Sequence, residues 1–178
     1  MDKRKLLSIE LGRMSAGQYR ESAASGVEVI LDNIRSAHNV GSIFRSADAF
    51  KIDKIWLCGI CPVPPSAEIH KTALGAEDSV PWEKAEDALS TVRRLRDEGY
   101  SALAVEQTVN STSLADFCRE NGKKYALVLG NEVDGVQQSV VDACDASLEI
   151  PQYGTKHSLN VSVCAGIVLW HIINSKSI

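Results

Sequence analysis

Short apolar runs, several rich in β-branched residues, alternate along this chain with stretches whose apolar positions recur every three or four residues. The runs at 27–31, 54–59, 100–105, 125–129 and 147–150 have strand length. Residues 39–50, 83–98, 114–121, 137–144 and 158–174 read as helices. Gly99 and Gly122 are placed as stops, and Ser113 as the cap of the 114–121 helix. Pro62, Pro64 and Pro65 mark a loop, and residues 1–26 read as a helical arm ending at Ser25-Gly26. Strands separated by helices predict a mostly parallel sheet with helices on both faces, an α/β domain. No internal repeat or linker divides it, so the expectation is one domain over 1–178 with a short arm over 1–26.

The final helical stretch is apolar nearly all round, with Leu159, Val161, Val163, Ile167, Val168, Trp170 and Ile172. Such a helix must be covered on several sides, either within the monomer or by a partner subunit. Its longest near-apolar run, 161–173, is too short to span a bilayer and holds Ser162 and His171. The first residues lack the apolar stretch of a secretory signal, so the expected location is cytoplasmic, with no membrane partner.

Charge complicates any reading that involves nucleic acid. The 178 residues carry 19 Lys and Arg against 23 Asp and Glu, a net −4, so no bulk polycation is present. Residues 1–20 hold five basic and two acidic residues, a net of +3, and the rest of the chain is therefore −7. A basic arm on an acidic body is compatible with RNA, and equally with a solvated helix.

Cys58 and Cys61 form a CxxC, but the motif ends a strand and runs into prolines rather than a helix N-terminus. No second ligand pair accompanies it, so no metal is expected. Three other clusters follow strand ends, where α/β sheets bind ligands. The first holds Asn39, placed to cap a helix, and Arg45 six residues later. The second is Leu129-Gly130-Asn131-Glu132 followed by Asp134, two carboxylates in a turn after a buried strand. The third runs from Ile150-Pro151 to Ser158-Leu159-Asn160, with Ser158 placed to cap the last helix and leave its free N–H groups for a polar ligand.

In this order and spacing the clusters resemble the three motifs of the SpoU-type RNA ribose methyltransferases, the TrmH family of the SPOUT superfamily, over about residues 27–173. Asn39-Val40-Gly41 with Arg45 resembles motif one. Leu129-Gly130-Asn131-Glu132 with Gly135-Val136 resembles motif two, and Ile150-Pro151 with Ser158-Leu159-Asn160-Val161-Ser162 resembles motif three. His70-Lys71-Thr72-Ala73-Leu74-Gly75-Ala76 resembles a segment that recurs between the motifs.

The resemblance implies a C-terminal deep trefoil knot (the SPOUT fold), S-adenosyl-L-methionine as cofactor, and methyl transfer to a ribose 2′-hydroxyl of RNA. It implies a homodimer, with the last helix in the interface and active sites formed across it. Cofactor-binding positions by motif match are Leu129, Gly130, Ile150, Ser158 and Leu159. The catalytic group comprises Arg45, which positions hydroxyl and phosphate, Asn39, which orients Arg45 or substrate, Glu132, which organises its loop, and Ser158 and Asn160. Gln152-Tyr153 stand where relatives commonly carry Met after Ile-Pro, and Lys156-His157 precede Ser158, so this loop bears on substrate choice. With only residues 1–26 left for RNA recognition, a tRNA substrate is expected ahead of rRNA. A weakly catalytic RNA- or cofactor-binding paralogue with the same fold is the alternative.

Overall fold

A computed structural model describes residues 3–175. Its elements are α1 (Ala16–Glu21), β1 (Val27–Asp32), α2 (Ala37–Ala49), β2 (Lys54–Cys58), α3 (Ala67–Ala73), α4 (Ala76–Ser79) and β3 (Trp82–Ala85). There follow α5 (Ala88–Asp97), β4 (Tyr100–Val105), β5 (Thr112–Ser113), β6 (Lys124–Gly130), α6 (Gln138–Ala143), β7 (Ala146–Glu149) and α7 (Val161–Asn174). The strands form one sheet in the order β3-β2-β1-β6-β4-β7-β5, and every pairing is parallel.

Alternation along the central strands gives two cores. Val29, Leu31, Leu127 and Leu129 face α2 and α7, meeting Ile43, Phe44, Ala165 and Val168. Ile30, Ala102, Ala104, Ala126 and Val128 face the other way, onto Val92 and Leu95 of α5 and Val140 of α6. The sheet is thus covered by helices on both faces, as the alternation of strands and helices predicts. Each fully buried aliphatic side chain contributes roughly 1.5–3 kcal/mol, so these central strands anchor the loops at their ends. No helix among the described residues is long and apolar enough to cross a membrane.

Several sequence-based expectations need correction. Residues 114–121 form turns rather than a helix, because tertiary partners take the backbone donors. Thr112–Ser113 pair with Leu148–Glu149, Leu114 N–H donates to the Glu149 carbonyl at 2.7 Å, and Glu120 N–H donates to Tyr125 Oη at 3.0 Å. The expected 83–98 helix begins later, since Trp82–Ala85 is a strand beside β2 and the helix starts after Asp87, whose carboxylate caps Ser90 N–H at 2.7 Å. A helix not foreseen, α3, follows the proline loop behind the cap Ser66. The arm is helical only at the 3-10 turn Ser8–Leu11 and at α1; residues 1 and 2 lie outside the described residues.

Candidate active site

At the carboxyl ends of β6, β4 and β7 the chain leaves a cavity of about 470 Å³, within the range of small-molecule sites. Its walls are the strand ends and the loops that follow them. Leu129, Gly130, Ile150, Ser158 and Leu159, the five positions expected to bind cofactor, all line it. So do Glu132 and Asn160. The residues lining it include four carboxylates, Glu106, Glu132, Asp134 and Glu149, and no lysine, arginine or histidine.

One rim is tied together by side chains distant in sequence. Asn39 Nδ2 donates to Glu132 Oε1 at 2.6 Å, and Asn160 Nδ2 donates to Asn39 Oδ1 at 3.2 Å. These bonds cross 93 and 121 residues of chain and join the segment after β1, the turn after β6 and the start of α7. The Glu132 turn is shaped by its neighbour: buried Asn131 accepts from Val133 N–H and Asp134 N–H through Oδ1, both at 2.9 Å. That side chain closes the turn, and Glu132 is left outside it to reach Asn39. Gly130 has no room for a side chain, because a Cβ there would overlap the Gly135 and Val136 backbone.

The helix caps differ from expectation. Ser36, not Asn39, caps α2, accepting from Asn39 N–H at 3.2 Å, so the Asn39 side chain is left for Glu132 and Asn160. Asn160, not Ser158, caps α7: its Oδ1 accepts from Ser162 N–H at 2.9 Å and Val163 N–H at 3.4 Å. Those N–H groups are therefore taken by Asn160. The Ser158 hydroxyl is exposed on the cavity wall and bonds no described residue.

Arg45 stands apart from this rim. It is exposed on α2, forms no hydrogen bond or ion pair with any described residue, and lines a neighbouring depression with Ser42, Ser46, Ala49, Thr72 and Gly166. Gly166 lies on α7, so this depression runs between α2 and α7. The His70–Ala76 segment also borders this depression and supports α2, with Thr72 Oγ1 donating to the His38 carbonyl at 2.9 Å.

Cys58 and Cys61 are buried. Cys61 Sγ accepts from Ile34 N–H at 3.1 Å, and burial pushes the two thiols up to about 12 and about 11, away from reactive thiolates. Among the described residues no group of three or more His, Cys, Asp or Glu could hold a metal ion. Asn131, quoted in the second motif but given no role, shapes the turn, and Glu106 and Gln107, which sequence reasoning did not single out, line the cavity after β4. An acidic residue directly after an apolar strand was the available signal for Glu106.

The sequence profile of the SpoU rRNA Methylase family matches residues 26–170. The chain is 34% identical over 153 residues to the 23S rRNA (guanosine-2′-O-)-methyltransferase RlmB of Nitrosomonas europaea, covering 84% of this chain and 56% of that protein. It is 30% identical over 159 residues to a Staphylococcus aureus protein assigned to the TrmH family of tRNA/rRNA methyltransferases, covering 89% and 63%. The chain thus spans less than two thirds of either relative. Among solved structures it resembles the A. aeolicus TrmH/SpoU tRNA modifying enzyme, with a TM-score of 0.76 and 26% identity over 88% of this chain and 79% of that one. The AdoMet-bound rRNA methyltransferase of Sinorhizobium meliloti aligns with a TM-score of 0.76 and 28% identity, covering 86% and 58%.

Proposed function

The chain belongs to the SpoU rRNA Methylase family, and from that premise we propose that it methylates a ribose 2′-hydroxyl of RNA, tRNA ahead of rRNA, using S-adenosyl-L-methionine. The observation that carries the reading is the Asn160–Asn39–Glu132 chain of hydrogen bonds, which gathers one residue from each motif onto the rim of a single cavity.

The cavity suits the proposed cofactor in size, and its glycine-bordered walls offer backbone groups at close range. Leu129, Gly130, Ile150, Ser158 and Leu159 would hold it there. When bound, it supplies an electrophilic methyl group. Glu132, Asp134 and Glu149, with no basic group in the lining, favour a ligand of net positive charge.

Asn39 and Glu132 hold each other in place at the rim and so fix where the ribose enters. Arg45 binds the ribose–phosphate and sets the hydroxyl in line; a guanidinium stays charged at working pH, so the hydroxyl proton leaves to phosphate or water. Ser158, with its free hydroxyl, meets a substrate phosphate. Gln152 lines the cavity, and with the exposed Tyr153, Lys156 and His157 of the same loop it tunes which RNA is accepted. The basic arm supplies further phosphate contacts.

We further propose the knot and the homodimer. The knot draws support from the path after β7, which leaves the sheet between β4 and β5 and returns past the loop after β4. There Gln107 Nε2 donates to the His157 carbonyl at 2.8 Å. The dimer draws support from an exposed apolar stripe on α7 beside Arg45.

The test is methyl transfer from labelled S-adenosylmethionine to purified tRNA and rRNA, followed by nucleoside analysis. Label on tRNA ribose is expected, with Arg45→Ala reducing turnover at least tenfold. Label on rRNA alone overturns the substrate, label on bases overturns the 2′-hydroxyl, and failure to bind millimolar S-adenosylmethionine overturns the reading.

A further inference from the structure

Glu106 is the first residue after β4, with its carboxylate on the cavity wall. Two backbone donors fix it: Gln107 N–H donates to Oε1 at 2.9 Å and Val136 N–H to Oε2 at 3.1 Å. The fold makes room for it, because Gly135 lies against it and a Cβ at that position would overlap Oε2. Gly135 also takes a φ of 68°, so this glycine is required twice over. The Cys164 thiol, another cavity wall, feels the same carboxylate: burial first, then Glu106, push it up to about 11.

An ionised carboxylate offers about four acceptor sites. The two N–H bonds use one on each oxygen, which leaves one on each oxygen unused. The rim where Asn39 meets Glu132 follows β1 and β6, whereas β4 is two strands from β1, about 10 Å away. Glu106 meets the Val136 end of the turn after β6 and not Asn39, so it lies beside a part of the cofactor away from the Asn39 corner.

Resting on the function proposed above, we infer that Glu106 receives the two ribose hydroxyls of the methyl donor, one on each carboxylate oxygen. A carboxylate at the end of a parallel strand binds ribose hydroxyls in other α/β sheets for the same geometric reason. In this role Glu106 recognises the adenosine moiety and is indifferent to the charge on sulfur.

Calorimetry on the full chain separates the possibilities. Glu106→Gln keeps an acceptor for one of the two N–H groups and turns its NH2 toward the other, so a fall of a few degrees in melting temperature with the fold retained is expected. It is expected to weaken S-adenosylmethionine and its neutral product S-adenosylhomocysteine alike, by about tenfold. Without any mutation, adenosine should compete for wild-type protein about tenfold better than 2′-deoxyadenosine. That preference should vanish in Glu106→Gln. Weakening of the sulfonium compound alone would place Glu106 at the charged sulfur and overturn the inference, as would unchanged affinities in a folded variant. If wild-type protein bound neither cofactor form, the proposed function itself would fall, a result distinct from both.

Discussion

Asn160 uses both ends of one amide: the oxygen caps α7 and the nitrogen bonds Asn39. Removing it should therefore cost stability and site order together. Asn160→Ala is expected to lose about 1 kcal/mol, a fall of about 2–4 °C in melting temperature, and to slow turnover. Ser158→Ala should leave the melting temperature unchanged, because Ser158 caps nothing. Differential scanning fluorimetry on the pair checks this, and equal losses would return the cap to Ser158. Asn39, Glu132 and Asn160 were all identifiable from motif spacing. Their mutual bonds were not, because the choice of cap is made by backbone geometry: Ser36 at φ −80°, ψ 111° and Asn160 at φ −58°, ψ 136° both stand outside the helical conformation, as a cap must.

The cysteines carry a second prediction at this scale. Burial raises the thiols of Cys58 and Cys144 to about 12 and of Cys61 and Cys164 to about 11, whereas Cys118 is exposed. Titration with a thiol reagent at pH 8 should modify one residue rapidly in native protein and five after denaturation. In the unfolded chain these thiols ionise near their ordinary value of about 9, while the folded chain keeps its protons. Between about pH 9 and 11 the native state binds more protons, so stability falls as pH rises. Melting temperature should be flat from pH 7 to 8 and decline above 9.

At the scale of elements, α2 is held in place by α3, and the contact depends on Gly41. A Cβ on Gly41 would overlap Thr72 Oγ1 and the Ile69 carbonyl oxygen, so the two helices touch nearly backbone to backbone. Gly41→Ala should destabilise by about 1–3 kcal/mol, since the obstruction includes backbone that cannot rotate away. Gly154→Ala, with nothing within 4 Å, is the control and should be neutral. Thermal melts of both variants decide it. The same region shows where local pattern fails. Buried strands β1, β4 and β6 announce themselves as apolar runs. β3 does not: Glu83 and Lys84 are exposed, and its strand state comes from lying beside β2. A short polar edge strand carries almost no local signal, and neither does a turn such as 114–117, whose first donor, Leu114 N–H, is claimed by Glu149 of β7.

For the whole molecule, the decisive surface is on α7. Val163, Ile167 and Trp170 are 52%, 39% and 57% exposed, and their spacing of four and three puts them on one helical face. The opposite face, with Ala165, Val168 and Ile172, is buried on the core. This answers what the all-round apolarity of the segment left open: the monomer covers one side only. The depression containing Arg45 includes Gly166 of the same helix. A second copy seated on the stripe would therefore border Arg45, while the cavity lined by Leu129 and Ile150 is built within one chain. Cofactor affinity and turnover should then respond differently to loss of the partner. Sedimentation equilibrium should find the wild type dimeric at micromolar concentration and Trp170→Glu monomeric, because a buried unpaired carboxylate is strongly unfavourable. In Trp170→Glu, S-adenosylmethionine affinity should change less than threefold while turnover falls at least tenfold. A wild type that sediments as a monomer, or a monomeric variant with full turnover, would show that Arg45 serves its own chain alone.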